Sequence, residues 1–188
     1  MLLLLLLKRL DHAAEIDERS GLLVYGAWRT RAASILARPR GNDDHCGLLI
    51  IDIDNFTMIN DTYGHLAGDS VIEAVANAIR HEARRADVVG RFGGDEFVVL
   101  IDSLHEQWAV GPIAERIRDA VRDLAVSVGS PSGSRTINGL TVSIGGALHS
   151  TEHGYPDLTA FLWAADAALY SAKHAGRNAV HMNPSIPG

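Results

Sequence analysis

Two short stretches of this sequence carry carboxylates in positions where they could act together. Asp52 and Asp54 close an apolar run from Leu48 to Ile53, and Asp95 and Glu96 follow the pair Gly93-Gly94. Side chains alternate along a strand, so Asp52 and Asp54 are expected on one side with Ile53 pointing away. If that strand and the glycine turn are neighbours, Asp52, Asp95 and Glu96 converge. Two carboxylates about 4 Å apart repel by roughly 4 kcal/mol at an effective dielectric of 20, so a bare cluster is costly. A divalent cation reverses the sign of that energy, and an all-oxygen donor set favours Mg²⁺ or Mn²⁺ over zinc. Any one of these acids alone reads as a solvated loop residue. For the combination that reading weakens, because the run before Asp52 is too apolar for a surface element and the glycines allow close backbone approach.

Those acids need elements to hold them. Leu48 to Ile53 is continuous and contains three isoleucines, the mark of a strand buried on both faces. Phe56 to Tyr63 reads as a short helix ended by Gly64. The next helix is expected from near Gly68 or Asp69, because Val71, Ile72, Val75, Ala76 and Ile79 recur at the 3.6 period. Val88 to Arg91 and Phe97 to Ile101 read as strands flanking the glycine pair in a hairpin. Upstream, 22–37 reads as a helix and 38–47 as a loop. Downstream, Pro112 opens a helix with Ile113, Ile117, Val121 and Leu124 as its buried stripe, and 129–139 reads as polar and flexible. Thr141 to Leu148 is a further strand. Asp157 caps a helix carrying Leu158, Phe161, Leu162, Ala165 and Leu169, and 178–182 reads as an edge strand. The fold class is therefore α/β, an α+β sandwich whose mixed central sheet has flanking helices and a β-hairpin bearing the acidic turn.

Composition bounds the rest. The chain has 188 residues, is 47% hydrophobic and carries 17 basic against 23 acidic residues, a net charge of −6. Bulk disorder, collagen and membrane-span classes are excluded, and one domain of this length buries roughly 70% of its unfolded surface. The acidic balance argues against nucleic acid as a partner. An anionic substrate must then be met by a metal ion or a local group of Arg and Lys. The single cysteine, Cys46, cannot form an internal disulfide and fits a reducing compartment. Leu2 to Leu7 is an apolar run that Lys8 ends far short of the roughly 20 residues of a membrane helix, and it lacks a signal-peptide pattern. Leu3, Leu6 or Leu7, Leu10 and Ala13 or Ala14 recur at helical spacing. Residues 1–17 are therefore expected to form the end of a helical stalk or linker, 18–183 one domain and 184–188 a tail.

The motifs then carry a resemblance. Arg91-Phe92-Gly93-Gly94-Asp95-Glu96-Phe97 resembles the signature of the GGDEF family, the diguanylate cyclases. Asp52-Ile53-Asp54-Asn55-Phe56, then Ile59 to His65 and Gly68-Asp69, resemble that family's first half in order and spacing. Val142-Ser143-Ile144-Gly145, Ala165 to Lys173 and Gly176-Arg177-Asn178 resemble its second half, and Ser20-Gly21-Leu22 its entry motif. The ordered set covers about 17–182.

The resemblance implies a fold like the polymerase palm and the class III nucleotide cyclases. It implies condensation of two GTP into cyclic di-GMP and two pyrophosphates, with two Mg²⁺ or Mn²⁺ per active site and a two-fold dimer. By position, Asp52, the carbonyl of Ile53 and Asp95 resemble metal ligands. Glu96 resembles the proton acceptor and can also touch metal. Asn60 and Asp69 fill the guanine-recognising positions, with the acceptors that guanine N1–H and N2–H require. His65 lies at a family substrate contact, though a histidine at a helix end equally reads as a cap. Phe56 could lie against the nucleotide, though such an aromatic is more often core. Lys173 and Arg177, four apart and on one face if the helix continues that far, would reach the phosphates. Arg84-Arg85-Ala86-Asp87, with five residues between it and Gly93, resembles the family's inhibitory product site at Arg84 and Asp87. The family's usual Lys after Phe56 is replaced by Thr57, and Val24 and Tyr25 stand where Asn and Arg are usual. Thr57 and Val24 favour the alternative of a catalytically silent module binding GTP or cyclic di-GMP as an effector, and the intact Asp52, Asp95 and Glu96 oppose it. The expected location is cytoplasmic, with an upstream sensor or membrane segment if the chain is part of a longer one.

Overall fold

The strand expected at 48–53 is longer than its apolar run, and it is central: β2 (His45–Ile53) is buried at every position. In the computed structural model, which describes residues 15–39, 41, 45–106, 109–130, 133–150 and 154–183, β2 runs antiparallel between β4 (Glu96–Leu104) and β7 (Val142–His149). β3 (Val88–Gly93) pairs antiparallel with β4, and β1 (Leu23–Val24) lies parallel to β3 at one edge. At the other edge β8 (Val180–Met182) lies parallel to β7. The order β1-β3-β4-β2-β7-β8 is the mixed sheet expected from the irregular alternation of elements.

Alternate residues of β2 enter different cores. Leu49, Ile51 and Ile53 pack with α2 (Phe56–Tyr63), α3 (His65–Glu82) and α4 (Val110–Arg122). Leu48 and Ile50 pack with α1 (Tyr25–Leu36) and α5 (Leu158–His174). Burial on both faces is what an uninterrupted Leu/Ile run requires, each such side chain contributing about 1.5–3 kcal/mol. The helix stripes read from the sequence are buried, Val71, Ile72, Val75, Ala76 and Ile79 on α3 and Ile113, Ile117 and Val121 on α4, except that Leu124 lies beyond the end of α4 and is only partly buried. Asp157 caps α5, accepting from the Ala160 amide at 2.8 Å.

α5 lies very close to β7. A β-carbon at Gly145 would run into the backbone at Ala165 O and Leu169 N, so only glycine lets the helix come down onto the sheet there. One turn beyond Leu169 the same helix carries Lys173.

The structure departs from the sequence reading at several element ends. α1 begins at Tyr25, not Leu22, because Leu23 and Val24 are spent pairing with Gly90 and Arg91. β2 starts at His45, inside the expected loop. α3 begins at His65, immediately after Gly64, whose φ of 87° breaks the path between the two helices without any loop. The polar stretch 129–139 largely pairs as a hairpin, β5 (Val126–Ser130) with β6 (Gly133–Ile137). Its few apolar residues, Val126, Val128 and Ile137, join the first core. Of the expected stalk, residues 1–14 lie outside the described residues, as does the tail 184–188. Glu15–Asp17 are not helical, and Ile16 bridges back to Leu23. Among the described residues no helix is long and apolar enough to cross a membrane.

Candidate active site

Asp52 continues the face of β2 that Leu48 and Ile50 present to α5. In register it stands between Glu96 on β4 and Ser143 on β7, and directly opposed side chains on one face sit about 4.5–5.5 Å apart at Cβ. Lys173, delivered by the close approach of α5, donates from Nζ to Asp52 Oδ2 at 2.7 Å. Asp95 is tied to the end of β2 through the Ile53 amide, which donates to the Asp95 carbonyl at 3.2 Å. An open cleft of about 490 Å³ results, lined by Asp52, Asp95, Phe56, Asp61, Lys173 and Arg177. Thr57 lines it as well and brings a hydroxyl but no charge.

The carboxylates perturb one another. Burial pushes the Asp52 carboxyl above its ordinary range, against the opposing hydrogen bond and charge of Lys173. Burial also raises Glu96, and the Asp52 charge adds to it. Raised values on adjacent acids beside a single ammonium describe a site short of positive charge.

Asp54 does not join this group. Its Oδ1 accepts from Ser143 Oγ at 2.7 Å, and its Oδ2 from Thr141 Oγ1 at 2.8 Å and from the Asn178 amide at 2.9 Å. The carboxylate thereby holds the turn that follows α5. α5 ends at His174, so Lys173 and Arg177 do not share a helix face as expected. Arg177 and Asn178 instead take left-handed φ values of 64° and 44°, a strained path that the Asp54 bond secures and that turns Arg177 into the cleft.

The acidic turn has its own clamp. Arg91 is buried, and both its Nε, at 3.1 Å, and its Nη2 donate to the Gly94 carbonyl. Its Nη1 donates to Asp17 Oδ1 at 2.8 Å, and Asp17 also accepts from the Ser20 amide and hydroxyl. Burial alone would raise the Asp17 carboxyl, but these bonds outweigh it and hold it below its ordinary value. Asp61, Asp17 and the clamping role of Arg91 were missed from the sequence. Asp61 and Arg91 stood inside quoted motifs, whereas nothing near Asp17 marks its partner 74 residues away.

The remaining expected residues lie outside the acidic cleft. Asn60 packs its side-chain oxygen over Gly68, where a β-carbon would collide with it, and the Phe56 ring reaches the same glycine. Asp69, the next residue, lines a second pocket of about 340 Å³. His65 is exposed and lines another one, between the start of α3 and β5. Arg84 and Asp87 line a further pocket with Arg31, Arg80 and Arg85. There the Asp87 carboxylate accepts from the backbone amides of Arg84, at 2.6 Å, and Asp102, at 3.2 Å, and burial raises its pKa.

The donor set suits a hard cation. Asp52, Asp95, Glu96 and the Ile53 carbonyl are all oxygen donors. Among the described residues no three acidic, His or Cys side chains form a ready ion cage. Mg²⁺ is ordinarily held by one or two carboxylates with substrate phosphates completing the shell, so this arrangement fits it.

A family model described as diguanylate cyclase, GGDEF domain, matches residues 14–179. Diguanylate cyclase A of Treponema denticola is 40% identical over 136 residues, 72% of this chain and 34% of that protein. The chain thus spans about a third of the length of that curated relative. The GGDEF domain of TpbB (YfiN) from Pseudomonas aeruginosa aligns with a TM-score of 0.80 at 31% identity, covering 90% of this chain and 94% of that one. The GGDEF domain of DgcB from Caulobacter crescentus, solved in complex with c-di-GMP, aligns with a TM-score of 0.79 at 30% identity, covering 90% and 96%.

Proposed function

Because the chain belongs to the diguanylate cyclase GGDEF-domain family, we propose that it condenses two GTP into cyclic di-GMP. The observation that carries this reading is that Asp52 and Asp95 line one cleft, with Glu96 in register beside Asp52 and Lys173 bonded to Asp52. In each half-reaction a ribose 3′-oxygen bonds to the α-phosphorus of the other nucleotide, the bond to the β-phosphate bridge breaks, and pyrophosphate leaves. Glu96 accepts the 3′-hydroxyl proton; in the metal-free site burial and the Asp52 charge raise its carboxyl. Lys173 and Arg177 meet the triphosphate charge, which the acids alone would repel. Mg²⁺ or Mn²⁺, two per site, would be held by Asp52, the Ile53 carbonyl, Asp95 and Glu96 and supply charge neutralisation at the phosphates. Asn60 and Asp69 accept from guanine, and Phe56 and His65 are further substrate contacts. A nucleotide is long enough to need separate base and phosphate pockets, so the location of Asp69 outside the cleft suits this assignment.

One cleft holds one GTP, so the working unit is a two-fold homodimer. Cyclic di-GMP binds at Arg84 and Asp87 and inhibits, in the micromolar range or tighter (about −8 kcal/mol). Asp87 is already engaged by two amides, so it contributes its remaining lone pairs there and Arg84 most of the affinity. The domain, spanning 18–183, acts in the cytoplasm, with an upstream sensor or membrane segment if the chain is part of a longer one.

The test is incubation with GTP and Mg²⁺ and separation of the nucleotides, with Glu96→Gln alongside. Cyclic di-GMP from the parent alone is the expected result. Nucleotide binding without product at high protein concentration would instead support the silent effector that Thr57 favours.

A further inference from the structure

The second pocket contains a cation that no part of the mechanism above uses. Arg19 Nη1 lies 3.2 Å from Asp69 Oδ1. The turn that carries it is held from several sides. Asp17 accepts from the Ser20 amide and hydroxyl at 2.9 and 2.8 Å, and its carbonyl accepts from Gly21 at 2.7 Å. From α3, Arg80 Nη2 donates to the carbonyls of Ser20, at 3.3 Å, and Gly21, at 2.8 Å. The backbone of Arg19 is thus fixed against the helix bearing Asp69, while its side chain remains 60% exposed and within reach of a ligand. So exposed a pair contributes little to folding. Its consequence lies in what the two groups offer together.

A carboxylate only accepts hydrogen bonds and a guanidinium only donates them. Side by side they present acceptor, acceptor and donor, the complement of guanine N2–H, N1–H and O6. Adenine, with an acceptor at N1 and a donor at its 6-position, mispairs with that edge. Resting on the GTP reading above, we propose that Arg19 is a specificity-determining residue. Asp69 takes N1–H and N2–H, and Arg19 donates to O6 while its charge holds the Asp69 carboxylate in place. Guanine is then read at O6 as well as at its two N–H groups.

The test is calorimetric titration of GTP, 6-thio-GTP and ITP in a Glu96→Gln background, which keeps the nucleotide intact, with and without Arg19→Ala. 6-Thio-GTP retains both N–H donors but has a poor acceptor at position 6, and ITP retains O6 but lacks the N2 donor. Arg19→Ala should weaken GTP about tenfold and abolish the preference for GTP over 6-thio-GTP, while the penalty against ITP stays. Arg19→Lys should recover part of the preference. Melting temperatures should not move. An unchanged ratio of GTP to 6-thio-GTP affinity on Arg19→Ala would overturn the inference and leave the GTP reading standing. No GTP binding by the parent would overturn that reading, and the inference with it.

Discussion

Asp52 and Asp54 share a side chain, lie two residues apart and do different work. Asp52 faces a cleft with one ammonium for company, whereas Asp54 is saturated by two hydroxyls and an amide. Glu96 belongs with Asp52. Its carboxyl is raised by burial first and by the Asp52 charge second, so the folded state binds its proton more tightly than the unfolded chain does. Between the ordinary glutamate value and the raised one, stability therefore falls as pH rises, and at neutral pH the ionised pair is carried at a cost. Activity should run the other way, since Glu96 must be ionised to accept a proton. In the metal-free protein Glu96 should titrate above the ordinary glutamate range, and added Mg²⁺, by opposing the carboxylate charges, should draw that titration down. Glu96→Gln should lower turnover by about 10²–10⁴-fold. It should also raise Tm by about 2–4 °C, the equivalent of about 1 kcal/mol in a chain of this size. A melt that drops on this substitution would mean that Glu96 is stabilising rather than strained. Added Mg²⁺ should raise the Tm of the parent, and that of Asp52→Asn much less.

At the scale of elements, two contacts place the chemistry. Gly145 sets how closely α5 approaches the sheet, and so whether Lys173 reaches Asp52. Gly145→Ala forces the helix outward, and overpacking of this kind costs about 1–3 kcal/mol. Denaturant titration should register that loss, and turnover should fall with it because Lys173 recedes. Arg91 is the second contact, joining the acidic turn to the segment before β1 through Gly94 and Asp17. Arg91→Ala leaves a half-buried carboxylate without its ion pair and frees the turn; removing one partner of a fully buried pair costs about 3–5 kcal/mol, and the partial exposure of Asp17 puts the expected loss below that range. At temperatures where the variant is still folded, kcat should fall more than KM rises, since the turn orients groups for the transition state. Equal changes in both would place the role of Arg91 in substrate binding.

At the scale of the molecule, the proposed reaction needs two clefts facing each other. Specific activity should therefore fall on dilution, in step with dissociation measured by sedimentation velocity at the same concentrations. Constant specific activity in a population of monomers would overturn the dimer. Product control is separable from it: Arg84→Ala should weaken cyclic di-GMP binding at least tenfold without lowering the initial rate.

How much of this was legible follows from the range of each interaction. The apolar run 48–53, the helix stripes, the Asp157 cap and the glycine turn are local patterns whose physics acts within a few residues, and they stand where the sequence places them. The family's ordered motifs add Asp52, Asp95, Glu96, Asn60 and Asp69 by position alone. The polar hairpin 126–137 was not legible, because backbone pairing between strands of few apolar residues leaves no pattern in either. Element ends shifted where a neighbour decided them, as β3 did for Leu23 and Val24. Only the tertiary structure divided Asp52 from Asp54, since Thr141, Ser143 and Asn178 reach Asp54 from 87 to 124 residues away. It alone brought Lys173 to Asp52 across 121 residues and Arg19 to Asp69 through a turn docked on α3. Residue type and spacing determine which groups are available for chemistry. Which partner each one keeps is decided by long-range packing, because a carboxylate's charge state and orientation depend on what surrounds it.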